Sequence, residues 1–149
     1  MCLKPGDETT RAQTLMVSMD KVAARLSDGA RKALSGMWYA TSPAAPPILR
    51  EGVRGPIFSF RDFGEEALGW TSVSDRWVVS EEAGTAALHE LLDALYAGDD
   101  WIGVTWQRGD LLVIDNTRYF HGRSLAGEKP VGSHRLLNRL RLLDGVSGG

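Results

Sequence analysis

One histidine and three arginines in the last third of the chain have residue types and spacing that could do chemistry. His121 lies near the end of the run Gly109-Asp110-Leu111-Leu112-Val113-Ile114-Asp115-Asn116-Thr117-Arg118-Tyr119-Phe120-His121-Gly122-Arg123, and Arg135, Arg139 and Arg141 follow it. A neutral imidazole nitrogen binds a metal ion, and a guanidinium grips a carboxylate through a two-pronged fork. A metal ligand beside a carboxylate clamp suits an enzyme that uses an acidic cosubstrate. Taken alone, His121 also reads as a hydrogen-bonded structural histidine at a strand end.

The arginines carry a similar choice. Side chains on a strand alternate between two faces. Arg135, Leu137, Arg139 and Arg141 therefore share one face, and His134, Leu136, Asn138, Leu140 and Leu142 share the other. In one reading the arginines meet solvent and the leucines meet the core. In the other, a strand of a small barrel aims the arginines inward, where a buried guanidinium needs an anion such as a dicarboxylate. The residues alone leave both open. His89 and Glu90 read as the surface of a helix, and His134 points away from Arg135. The five tryptophans read mostly as core, with Trp70, near Arg61 and Asp62, the one placed to touch a ligand.

These residues need elements to position them. Gln13–Met19 reads as a short strand. Asp20 is placed to cap a helix running to about Leu26, and Asp28 to cap a second ending near Gly36. Pro43-Ala44-Ala45-Pro46-Pro47 is a stiff connector, because proline blocks helix and restricts its neighbour. Ile48–Arg50 and Pro56–Arg61 read as strands joined by a glycine-containing turn, with Phe58 and Phe60 on one face. Asp62–Asp75 reads as a loop. Ser80 caps the clearest helix, with Glu81 and Glu82 in its first turn, Leu88, Leu91, Leu92 and Leu95 as its stripe, and Gly98 as its stop. Trp101–Trp106 and Leu111–Asp115 read as strands around a Gln107–Asp110 turn, and Arg135–Leu143 as the last strand. Many short strands with few helices predict a mainly β sandwich or barrel with flanking helices.

Composition bounds the function. A chain of 149 residues, 43% hydrophobic and 24% charged, is enough for one domain with a core. The net charge of -2, with both signs interspersed, lacks the basic stripe of a nucleic-acid binder. The single cysteine, Cys2, allows no intrachain disulfide and no cysteine-based zinc site, which suits a reducing cytoplasm. The first residues have no apolar signal core, and no run is long enough to span a membrane.

The stretch from Gly109 to Arg139 resembles the iron(II)- and 2-oxoglutarate-dependent oxygenases of the taurine dioxygenase superfamily, and among them the clavaminate synthase-like amino-acid hydroxylases. Their pattern Gly-Asp-Leu-x-x-x-Asp-Asn-x-Arg-x-x-His-Gly-Arg, followed by two arginines four residues apart, is filled in order. Gly109, Asp110, Leu111, Asp115, Asn116, Arg118, His121, Gly122, Arg123, Arg135 and Arg139 fill it. The match is strongest from Trp106 to Leu143 and extends more weakly to residues 2–18. The resemblance implies a double-stranded β-helix, a cupin-like jelly roll. It implies that His121 is the distal histidine of a two-histidine, one-carboxylate iron site. It implies that Arg135 pairs with the far carboxylate of 2-oxoglutarate, with Thr14 supporting it, and that Arg139 binds either the cosubstrate or an amino-acid substrate. The activity implied is hydroxylation of an amino acid or a similar small carboxylate.

One departure stands out. The family's first metal motif is His-x-Asp or His-x-Glu. Here His89 is followed by Glu90-Leu91, His121 by Gly122-Arg123 and His134 by Arg135-Leu136, so none fits. The resemblance places that motif just ahead of residue 1, which predicts that residues 1–149 form the C-terminal portion of an oxygenase domain, or need strands from another chain. The alternative is a non-catalytic remnant or interaction module that binds a small carboxylate or a partner chain. Exposed strand edges predict self-association.

Overall fold

Turn residues and short apolar runs divide the chain into brief strands and a few helices. The computed structural model describes residues 1–5, 13–39, 46–60, 69–72, 78–124 and 136–139. Among them nine strands and three helices follow in order. They are β1 (Cys2–Lys4), β2 (Thr14–Ser18), α1 (Met19–Arg25), α2 (Asp28–Ser35), β3 (Trp38–Tyr39), β4 (Leu49–Gly52), β5 (Gly55–Phe58), β6 (Trp70–Thr71), α3 (Glu81–Tyr96), β7 (Ile102–Val104), β8 (Tyr119–Arg123) and β9 (Leu136–Leu137). One sheet has the order β7-β2-β8, and β1-β9, β3-β6 and β4-β5 form antiparallel pairs. The architecture is mainly β with flanking helices. Two compact units divide the chain. Unit 1 comprises Met1–Leu15, Gly103–Ile114 and Gly122–Gly149, and unit 2 comprises Met16–Ile102 and Asp115–His121.

Unit 2 holds the apolar core. Helix α3 starts at Ser80, whose hydroxyl accepts from the Ala83 N–H at 3.2 Å, and Glu81 and Glu82 complement its dipole. Gly84, Ala87, Leu88, Leu91, Ala94 and Leu95 recur at helical spacing and are buried. Leu92 is only half-buried, and His89 lies on the surface as expected. The ring of Trp70 lies so close to Gly84 that a Cβ there would come within 2.2 Å of it.

The cap of α2 is Ser27, with Asp28 as the first helical residue. Ser27 Oγ accepts from the Ala30 N–H at 3.1 Å, while its own N–H and hydroxyl donate to the Glu90 carboxylate on α3. A residue of one helix thus completes the cap of another, and Glu90 is more than a surface charge. Asp20 does not cap α1 either. Ser18 holds the cap position, and Asp20 lies in the first turn, free to pair elsewhere. The β4–β5 hairpin closes through Val53-Arg54, with Gly52 opposite Gly55, and Gly55 adopts φ +115, a conformation that favours glycine. Phe58 is buried 5.2 Å from the ring of Phe120, and Phe60 stacks on Tyr39 at 6.5 Å.

The described residues of unit 1 meet largely through backbone hydrogen bonds. Strand β1 pairs with β9, and Cys2 also exchanges bonds with the Gly109-Asp110 turn. The Cys2 N–H donates to the Asp110 carbonyl and the Gly109 N–H donates to the Cys2 carbonyl, each at 2.9 Å. Cys2, Thr14 and Trp106 are buried.

Several sequence expectations change. Leu111–Asp115 is not a strand. No strand among the described residues pairs with it, and Leu111 and Val113 are 74% and 73% exposed. An apolar run becomes a ladder only where a neighbour supplies hydrogen bonds. The expected Trp101–Trp106 strand shortens to Ile102–Val104. The expected Asp62–Asp75 loop contains β6, and its residues 62–68 and 73–75 lie outside the described residues, as do Arg61 and residues 43–45 of the connector. Of Arg135–Leu143 only Leu136–Leu137 is strand. Arg135, His134 and residues 140–143 lie outside the described residues.

Candidate functional site

His121 is the third residue of β8, not a corner residue beyond a strand. The corner comes earlier. The Asp115 carboxylate accepts from the Thr117 N–H at 2.9 Å and the Thr117 hydroxyl at 2.6 Å, and the Arg118 N–H donates to the Asp115 carbonyl at 3.0 Å. This side-chain turn ends the apolar run and starts β8. The Thr117 hydroxyl and N–H hold the Asp115 carboxyl below its ordinary value, with smaller help from Arg54 and Arg118. Alternation along β8 buries Phe120 and leaves Tyr119 and His121 exposed.

Thr14 opens β2 and is the one buried polar residue among those described. Its hydroxyl oxygen accepts from the Trp106 indole N–H at 2.8 Å. An oxygen so engaged still has its own hydroxyl proton to donate, which is the form needed to support a carboxylate. Beside it, the Gln13 N–H donates to Ser124 Oγ and its carboxamide donates to Thr105 Oγ1, each at 2.9 Å. These bonds tie the start of β2 to the segments around it in unit 1.

Arg139 is exposed and follows β9 without belonging to it. The period-two argument for the arginines therefore covers only Leu136 and Leu137 among the described residues. Of these, Leu137, on the arginine side of the alternation, is the more buried. Thr14 and Arg139 belong to unit 1, as does the segment carrying Arg135, whereas His121 belongs to unit 2.

Iron needs several ligands at once. Among the described residues no group of three histidine, cysteine, aspartate or glutamate side chains is placed to hold a metal ion. None of the three histidines of the chain is followed two residues later by an acid. The described residues therefore do not by themselves make a complete iron site. A shallow depression in unit 2, lined by Gly69, Trp70, Thr71, Ser72, Val79 and Glu81, includes Trp70, the tryptophan placed to touch a ligand, but not His121, Thr14 or Arg139. Among the described residues no helix is long and apolar enough to cross a membrane.

Sequence reasoning missed two arrangements. Trp106, read as core, meets Thr14 through its indole N–H. Arg118, a position of the motif to which no role attached, bonds Asp20 at 2.6 Å. A polar residue fixed inside the motif and an acid at a helix start were the available signals.

No curated protein matches the chain. Solved structures do. The crystal structure of asparagine oxygenase is similar at 26% identity and a TM-score of 0.63, covering 91% of this chain and 40% of that one. A second asparagine oxygenase structure, in complex with Fe(II), 2S,3S-3-hydroxyasparagine and succinate, is similar at 22% identity and a TM-score of 0.61, covering 91% and 41%. The non-heme iron oxygenase OrfP is similar at 18% identity and a TM-score of 0.56, covering 90% and 43%. The chain thus spans about two fifths of the length of these proteins. The likeness extends the mainly β architecture to the jelly-roll oxygenases. Residues 1–141 match the family described as taurine catabolism dioxygenase TauD, TfdA family, and with nearly its whole length inside that match the chain belongs to this family of iron(II)- and 2-oxoglutarate-dependent oxygenases.

Proposed function

We propose that residues 1–149 are the C-terminal part of an oxygenase domain that uses iron(II) and 2-oxoglutarate to hydroxylate an amino acid or similar small carboxylate. In this reading His121 is one iron ligand, Arg135 and Thr14 hold the far carboxylate of 2-oxoglutarate, and Arg139 binds the cosubstrate or the substrate carboxylate. The observation that carries it is the family match over residues 1–141 together with the ordered motif from Gly109 to Arg139. Similarity to a protein that is an asparagine oxygenase supports an amino-acid substrate.

The reading requires two further protein ligands for iron, because the chain's histidines lack the first motif. Succinate release from 2-oxoglutarate, in the presence of iron(II), ascorbate and a panel of amino acids, tests it. The chain alone is expected to release none. The chain supplied with a polypeptide carrying His-x-Asp or His-x-Glu is expected to release succinate. No succinate in either preparation would overturn the oxygenase reading.

The missing motif also favours a second reading, a non-catalytic module that binds a small carboxylate or a partner chain on the same scaffold. It predicts 2-oxoglutarate binding by calorimetry that is unchanged by a chelator and weakened by Arg135→Ala. Unchanged affinity in Arg135→Ala would remove that residue's role in both readings. Self-association through strand edges is checked by sedimentation, and a clean monomer would remove it.

A further inference from the structure

Arg118 stands three residues before His121, and its surroundings in unit 2 are unusual for a half-exposed arginine. Its Nη2 lies 2.6 Å from Asp20 Oδ2 in the first turn of α1. Its Nη1 donates to the carbonyl oxygen of Arg54 in the turn of the β4–β5 hairpin. The backbone is held as well, since the Met19 N–H donates to the Arg118 carbonyl at 2.8 Å. At the receiving end, a Cβ on Gly55 would stand 2.6 Å from Asp20 Oδ1, so the hairpin turn is shaped to admit this carboxylate. Two segments distant in sequence, the start of α1 and the hairpin turn, converge on this one guanidinium.

Magnitude separates two roles for this cluster. The Arg118 and Asp20 side chains are 31% and 43% exposed, and ion pairs at that exposure contribute little to stability. Global folding is therefore a weak reason for it. Geometry is a stronger one. A guanidinium is planar and rigid, so bonds from its two ends to different segments fix its position and orientation together. Two residues on, Phe120 is buried against Phe58. The segment is thus pinned at Arg118 and again at Phe120, and His121 is the next side chain.

We infer that Arg118 is a positioning residue for His121: its clamp on Asp20 and the Arg54 carbonyl sets where β8 presents the imidazole. The purpose of that placement rests on the oxygenase reading, but the clamp itself is testable without iron or 2-oxoglutarate. The probe is the His121 imidazole resonance of the full chain in NMR spectra, with amide exchange at Met19 and Tyr119 measured alongside. Arg118→Ala is expected to shift and broaden the His121 signal and to speed exchange at Met19 by about tenfold or more. Arg118→Lys, which keeps the charge but loses the fork, and Asp20→Asn, which keeps an acceptor, are expected to give smaller changes of the same kind. Leu91→Ala, a more destabilising change in the core, is the control and should leave the His121 signal in place.

An unmoved His121 signal in Arg118→Lys and Asp20→Asn, with Arg118→Ala either equally silent or unfolded, would overturn the inference. An equal shift in Leu91→Ala would also overturn it, since the effect would then be general loosening. The two ideas fail separately. A moved imidazole without succinate release in any preparation keeps the clamp and removes the oxygenase reading. Succinate release with an unmoved imidazole does the reverse.

Discussion

The described residues of unit 1 and those of unit 2 are stabilised in different ways. Unit 2 buries a contiguous apolar cluster that runs from Val17 and Val22 through Leu34, Met37 and Ile48 to Leu91, Leu95 and Phe120. In unit 1 the buried residues among those described are Cys2, Thr14 and Trp106, and the described short strands and turns are joined by hydrogen bonds. Leu3, Leu111, Val113 and Leu136 of the same unit are exposed. Apolar burial is the main favourable term in folding, at roughly 25 cal/mol per Å². His121 is therefore carried by a packed scaffold, whereas Thr14 and Arg139 sit in a unit whose described residues provide little core.

The largest expected effect tests that contrast directly. Leu91→Ala, at a side chain with no exposure, should cost about 2–5 kcal/mol in urea denaturation. Leu111→Ala, at 74% exposure, should change stability by less than about 0.5 kcal/mol. A comparable loss at both positions would break the comparison.

A smaller effect probes packing within unit 2. Alanine is the better helix former by about 1 kcal/mol, so propensity alone favours Gly84→Ala. The Trp70 ring occupies the space its Cβ would need, and overpacking typically costs about 1–3 kcal/mol. A net loss of stability with a shift in tryptophan emission is expected. A gain in stability would show that the Trp70 contact is loose.

The smallest effect concerns the turn before β8. The Asp115 carboxyl titrates below its ordinary value because Thr117 bonds its charged form. A depressed folded value contributes stability above the unfolded carboxylate range and loses it as pH falls through the folded value. Thr117→Val keeps the N–H donor and removes the hydroxyl. In a carbon-detected NMR titration the Asp115 midpoint should rise part of the way towards the ordinary value. An unchanged midpoint would assign the shift to the backbone donor and the nearby arginines.

The sequence was most legible where structure is local. Helix α3 could be read from Ser80, the paired glutamates and the leucine spacing, because capping and burial both act over a few residues. The β4–β5 hairpin was legible for the same reason. The strand that carries His121 was not. The continuous apolar run at Leu111–Ile114 reads as a strand, yet a ladder depends on a partner far away in sequence. The motif itself was legible as a pattern, and the family match bears it out, but pattern alone could not reveal what Arg118 does. Its partner Asp20 lies 98 positions away, and only the folded chain brings the two within 2.6 Å.

Cys2 is the chain's single thiol, it is 1% exposed, and its backbone is bonded to the Gly109-Asp110 turn on one side while β1 pairs with β9 on the other. A disulfide reagent therefore reaches its sulfur only when β1 lifts away from a neighbour. The labelling rate of this one atom becomes a clock for local opening around β1. Its ratio to the rate in denaturant converts breathing of β1 into an equilibrium constant, without a single added probe.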